Sequence, residues 1–124
     1  MKAIHYDAEG DILSITFMDA GTQQQAGIEL SDNIVLYYNP ETVQPLQLIL
    51  VSYQAMVQAS VQQPLLLDGL AEAPTKIQKT VKTILARAPL NTFLQMVESQ
   101  GNNPPTSRLR EIFTPAALQT VMAV

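Results

Sequence analysis

Apolar and polar residues alternate in short blocks through the first part of the chain, and the alternation has a period of two. In Ile12-Leu13-Ser14-Ile15-Thr16-Phe17, residues Leu13, Ile15 and Phe17 fall on one side and Ser14 and Thr16 on the other. That spacing predicts a strand with one buried face. Ile4 and Tyr6 flank His5 in the same way upstream, and Asp7-Ala8-Glu9-Gly10 lies between the two blocks. Asp opening a turn and a left-handed Gly closing it suit a type I turn, so residues 2–18 are expected to form a β-hairpin. After a polar loop from Asp19 to Gln25, a short strand is expected over 26–30 and a turn at Ser31-Asp32-Asn33. Ile34-Val35-Leu36-Tyr37-Tyr38 is apolar at both parities, which predicts a central strand covered on both sides. Pro40 sets a turn at Asn39-Pro40-Glu41-Thr42. Leu46, Leu48 and Leu50 then alternate with Gln47 and Ile49 in a last strand to about Val51. Residues 1–52 thus read as an antiparallel β-meander of four to five strands joined by hairpin-length connections.

The period then changes. Ser52 is placed to cap a helix on which Tyr53, Met56, Val57 and Val61 share a face, and Pro64 ends it. Residues 65–73 fit neither period, and Asp68-Gly69 reads as a turn. Thr75 reads as the N-cap of the clearest helix, Lys76 to Ala88. At about 100° per residue, Ile77, Val81, Ile84, Leu85 and Ala88 gather on one arc, with Lys76, Lys79, Lys82 and Arg87 opposite. Pro89 breaks or kinks this helix. Leu90, Phe93, Leu94 and Val97 have the spacing of a second amphipathic helix ending near Gly101-Asn102-Asn103-Pro104-Pro105. Thr114-Pro115 starts a last one towards Met122. A sheet with an apolar face and helices with apolar stripes, joined without a long linker, predict a single α+β domain over residues 1–124. The meander of 1–52 would be packed by the helical part, 53–124.

Composition narrows the function classes. With 124 residues, 47% of them hydrophobic, the chain carries enough apolar side chain for a core. Cys is absent, which excludes disulfides, thiolate nucleophiles and thiolate metal sites. The start, Met1-Lys2-Ala3-Ile4-His5-Tyr6-Asp7, has no hydrophobic run of signal-peptide length, and apolar runs such as Leu48 to Val51 are too short to span a membrane. A soluble, cytoplasmic protein is expected.

Charge adds a partner class. Residues 1–75 hold Lys2 against nine acids, a net −8, whereas residues 76–124 carry a net +4. A chain divided in this way attracts its own other half or another copy. Charged residues make up only 15% of the chain, below the usual quarter or so, so a covering partner is expected, most simply in a homo-oligomer.

The residues Ile4-x-Tyr6-Asp7-x-Glu9-x-Asp11-x-Leu13-x-Ile15-x-Phe17, followed by Ile34-Val35-Leu36-x-Tyr38 and Leu46 to Val51, resemble the bacterial domain-of-unknown-function family numbered 2283. Its members are small β-rich proteins that open with this Tyr-Asp-x-Glu-x-Asp hairpin. The resemblance covers residues 4–56. It departs at Asn39-Pro40-Glu41-Thr42, where the family usually has an acidic turn containing Gly, and it has no counterpart for the helical part. It implies a compact β-meander and supplies no catalytic residue.

Candidate chemistry is sparse. Asp7, Glu9 and Asp11 have the spacing that opens a calcium loop, but such a loop needs Gly at its sixth position and Glu at its twelfth, where this chain has Ile12 and Met18. His5 is the single imidazole, and Asp7 shares its strand parity; a lone His on a polar strand face is ordinarily a surface residue. The serines lie in no nucleophile-elbow context, and no Gly-rich phosphate loop is present. No catalytic, cofactor-binding or metal-ligating residue is therefore assigned, and no cofactor is expected. The one candidate interaction surface is the basic helix face of Lys76, Lys79, Lys82 and Arg87. With a second helix after Pro89 it has the outline of a helix-turn-helix, but that segment offers Asn91, Thr92, Gln95 and Glu98 and no basic residue for the bases. A non-catalytic protein–protein interaction or self-assembly module is the leading expectation, and a nucleic-acid-binding regulator using this helix is the alternative.

Overall fold

A computed structural model describes residues 3–19, 21–97 and 106–109 of the protein. Strands β1 (Ala3–Asp7), β2 (Ile12–Thr16), β3 (Ala26–Ser31), β4 (Ile34–Asn39) and β5 (Gln44–Val51) form one antiparallel sheet. Each falls on a segment that the apolar pattern marks as a strand, and helices follow, so the fold class is α+β. The strand order is β1-β2-β5-β4-β3, so the meander is made of two parts, the hairpin β1-β2 and the run β3-β4-β5. The polar connection after β2 is too long for a tight hairpin and carries the chain to the far edge. From there β3, β4 and β5 return strand by strand. The longest strand, β5 with 8 residues, fills the centre, and β3, with exposed Gly27 and Glu29, suits an edge.

One face of the sheet makes the core. Tyr6, Leu13, Ile15, Ile34, Leu36, Tyr38, Leu48 and Leu50 point to the same side and are buried. They are covered by α1 (Tyr53–Gln62), α2 (Asp68–Ala71) and α3 (Thr75–Leu85). These helices and the segment after them contribute Tyr53, Met56, Val57, Leu70, Val81, Ile84, Leu85 and Phe93 to the same contiguous cluster. Burial of these side chains, at about 25 cal/mol per Å² of apolar surface, is what joins strands to helices.

Several local expectations are corrected. Ile34–Asn39 is not covered on both sides: Ile34, Leu36 and Tyr38 are buried, while Val35 and Tyr37 are only half-buried. In the first hairpin the left-handed residue is Asp11, at φ 54°, and not Gly10. Asp tolerates that region, and there it does a second task. Ser52 does not cap α1, because it is itself left-handed (φ 55°, ψ 49°) and makes no side-chain cap bond. The cap comes from Asp11 instead. Its two carboxylate oxygens accept the Gln54 N–H at 3.1 and 3.2 Å, and its carbonyl accepts the Tyr53 N–H at 2.9 Å. An acceptor from a distant turn thus satisfies donors that the helix's own first residue leaves open.

Asp68-Gly69 is not a turn but the start of α2. A Cβ on Gly69 would run into the backbone carbonyl of Glu29, so only glycine lets α2 lie this close to β3. Helix α3 begins at Thr75, behind Pro74, with no side-chain cap bond, and it stops at Leu85, three residues short of the expected Ala88. The ring of Pro89 clashes with a helical carbonyl four residues back, at Leu85, which explains that early end.

The largest correction follows. Residues 90–97 are not an amphipathic helix: a short 3-10 turn, Leu90–Thr92, leads into strand β7 (Leu94–Val97). A second, three-stranded sheet then forms, in which β8 (Thr106–Leu109) lies between β7 and β6 (Leu65–Leu66). A short apolar run fits both periods, and partners far along the chain decide between them. The helix expected from Thr114 to Met122 lies outside the described residues.

Candidate interaction surface

The strands that build the core have a second face. Register places Ile12 beside Val51, Ser14 beside Ile49 and Thr16 beside Gln47. It places Val35 beside Ile49 and Tyr37 beside Gln47. Ile12, Val35, Tyr37, Ile49 and Val51 therefore form one continuous apolar stripe across β2, β5 and β4. None of them belongs to the helix-covered core. All are half-buried, since neighbours on a pleated sheet shade one another. One cross-strand row runs the full width of the sheet through this stripe: His5, Ser14, Ile49, Val35, Glu29. It begins on an imidazole at the β1 edge and ends on a carboxylate at the β3 edge, and both are exposed.

Two acids of the first hairpin, Asp7 and Asp11, are structural. The Asp7 carboxylate accepts the Glu9 N–H at 3.1 Å and closes the turn. The Tyr6 hydroxyl donates to Asp11 Oδ1 at 2.7 Å and accepts from Gln54 Nε2 at 3.1 Å. Burial, and then the hydrogen bond to Asp11 and its negative charge, push the Tyr6 hydroxyl up from 10.0 to about 12. Burial also raises Tyr38. A tyrosine held protonated against a carboxylate already spent on a helix cap braces the β1–β2 turn against α1, and it has no proton to exchange near neutrality. His5 and Asp7 share the outer face of β1 and are both exposed. Among the described residues no three His, Cys, Asp or Glu side chains gather where they could hold a metal ion.

The basic residues singled out by sequence are all exposed. Lys76, Lys79 and Lys82 follow one another three apart along α3, so each is set back about 60° around the axis. Lys76 lines a groove of about 450 Å³ with Gln24, Tyr38, Glu41 and Ile77. Arg87 lies beyond the helix end, at a cavity of about 300 Å³ walled by Phe17, Val43, Pro45, Ile84 and Pro89. With Leu94–Val97 a strand, no second α-helix follows α3 among the described residues. The outer sheet stripe was the feature sequence reasoning missed. Its signal is the double apolar parity of residues 34–38, a pattern that burial on both sides would also produce. No family model matches this chain, and no curated protein or solved structure matches it.

Proposed function

We propose that this protein is a non-catalytic self-assembly module that binds a second copy of itself through the outer face of its five-stranded sheet. The observation that carries this reading is the apolar stripe Ile12, Val35, Tyr37, Ile49 and Val51, which lies outside the core. Contiguous apolar surface of this kind marks an interaction site, because its burial is favourable and its exposure invites association. The polar side chains interleaved with it, Ser14, Thr16 and Gln47, are neutral, and the acids Asp7 and Glu29 stand at the edges. Two such faces can therefore meet without burying an unpaired charge at their centre.

Light scattering on a size-exclusion column at micromolar concentration tests the reading. The expected result is a dimer or larger, reduced to monomer by Ile49→Lys with unchanged circular dichroism. A strict monomer at every concentration overturns it. The nucleic-acid alternative predicts salt-sensitive binding to duplex or single strands that is lost in Lys79→Glu/Lys82→Glu; such binding by a monomeric wild-type protein would replace self-assembly as the function.

A further inference from the structure

The row His5–Ser14–Ile49–Val35–Glu29 sets how two copies can face each other. The sheet has β5 at its centre, with β2 and β1 on one side and β4 and β3 on the other. Two symmetric face-to-face arrangements keep the strands of both copies aligned, and they differ in the direction of the two-fold axis. An axis across the strands lays each strand over its own counterpart. Glu29 then meets the Glu29 of the second copy, and the acidic edges repel. An axis parallel to β5 lays β1 over the second copy's β3 and β2 over its β4. Because His5 and Glu29 occupy the same row, each imidazole then lies opposite a carboxylate at both edges, and Ile49 packs on Ile49 over the axis. Sheets stacked face to face lie about 10 Å apart, a gap that His and Glu side chains bridge from opposite sides.

We infer that the copies associate about a two-fold axis parallel to β5, with His5 of each against Glu29 of the other, and that protonation of this imidazole tightens the assembly. The inference rests on the self-assembly reading of the same face. Imidazole is the side chain that ordinarily changes charge between about pH 5 and 8. The charged groups around His5 act in the same direction. Asp7 lies two residues along the same strand face, Ser14 opposite on β2 is neutral, and the facing β3 edge presents Glu29, with Asp32 in the turn that follows it. Among the described residues every charge facing the imidazole is negative, so the assembly favours the charged form of that side chain. By linkage, association strengthens as the pH falls.

Sedimentation of the full chain at pH 8 and pH 5.5 tests this. The dimer dissociation constant is expected to fall about tenfold at the lower pH, the combined effect of two partly screened ion pairs. His5→Glu and Glu29→Lys should each weaken the dimer by about as much or more, and the double variant His5→Glu/Glu29→Lys should restore it with the pH dependence gone. His5→Gln should leave a dimer that no longer responds to pH. A dimer indifferent to both charge reversals overturns this arrangement while self-assembly through the apolar stripe stands. A chain that remains monomeric, with Ile49→Lys lowering its melting temperature, shows the face covered by its own chain and overturns both.

Discussion

The two faces of the main sheet are built from the same strands, and in β5 from alternate residues of one aliphatic run. Leu48 and Leu50 are 0% and 1% exposed, while Ile49 between them is half-buried. Nothing in the chemistry of Leu and Ile separates them. What separates them is which side the helices cover, and that depends on the direction in which the chain leaves β5 at left-handed Ser52. A face can thus be as apolar as its neighbour and still be surface, and apolar surface left on a sheet is where a partner is to be sought.

Substitution within that run gives the largest contrast. Leu48→Ala should cost about 3 kcal/mol in urea unfolding, because the cavity it leaves is fully enclosed. Ile49→Ala, measured at a concentration that keeps the protein monomeric, should cost less than about 1 kcal/mol. Equal losses would mean that the outer face is covered within one chain.

Asp11→Ala should be next, at about 2 kcal/mol, since it removes the cap of α1 and the acceptor of the Tyr6 hydroxyl together. Asp11→Asn keeps one oxygen and tolerates the left-handed backbone, so it should lose about half as much. If the two variants unfold alike, the tie between the β1–β2 turn and α1 does not support the covered face.

Alkaline titration sharpens the same contrast. The hydroxyl of Tyr6 titrates higher in the folded protein, at about 12, than its ordinary 10.0. A raised value means that the folded state holds the proton more tightly. This contribution to stability is therefore complete below pH 10.0 and is lost as the pH rises towards 12. Tyr38 acts in the same sense. Stability followed by denaturant midpoint should fall over that window, and Tyr6→Phe should flatten part of the fall; an unchanged slope would place Tyr6 outside the covered face.

The smallest effect belongs to Gly10. A Cβ there would lie 3.1 Å from Asp7 Oδ2 and 3.3 Å from the Ile12 side chain, with no positive φ to strain it. Gly10→Ala should shift stability by no more than about 0.5 kcal/mol. A loss of 1–2 kcal/mol would return the left-handed position to Gly10 and remove it from Asp11.

The five strands of the main sheet were legible in the sequence because apolar blocks and turn residues mark each of them. Leu13, Ile15 and Phe17 name their face without help from any other segment. The amphipathic stripe of α3 was legible for the same reason, although its end at Leu85 was set by a proline four residues beyond. Leu94–Val97 was not legible as a strand: its apolar spacing fits a helix as well, and its partner β8 comes from Thr106–Leu109. The cap of α1 was hidden similarly, since Ser52 is the local candidate and Asp11, more than forty residues away, does the work. Of the candidate site, the apolar parity of Val35, Tyr37 and Ile49 could be read, whereas their place outside the core cluster could not.

By itself the sequence determined the strand blocks of the main sheet, the buried parity of β2 and β5, the basic stripe of α3 and the lack of thiol chemistry, because those are properties of neighbouring residues. Tertiary structure alone decided that β5 lies between β2 and β4, that Asp11 caps α1, and that His5 and Glu29 share one row at opposite edges. The reason is physical: strand order, caps borrowed from distant turns and cross-sheet rows are made by hydrogen bonds between segments remote in the chain, and no local pattern encodes which remote segment arrives.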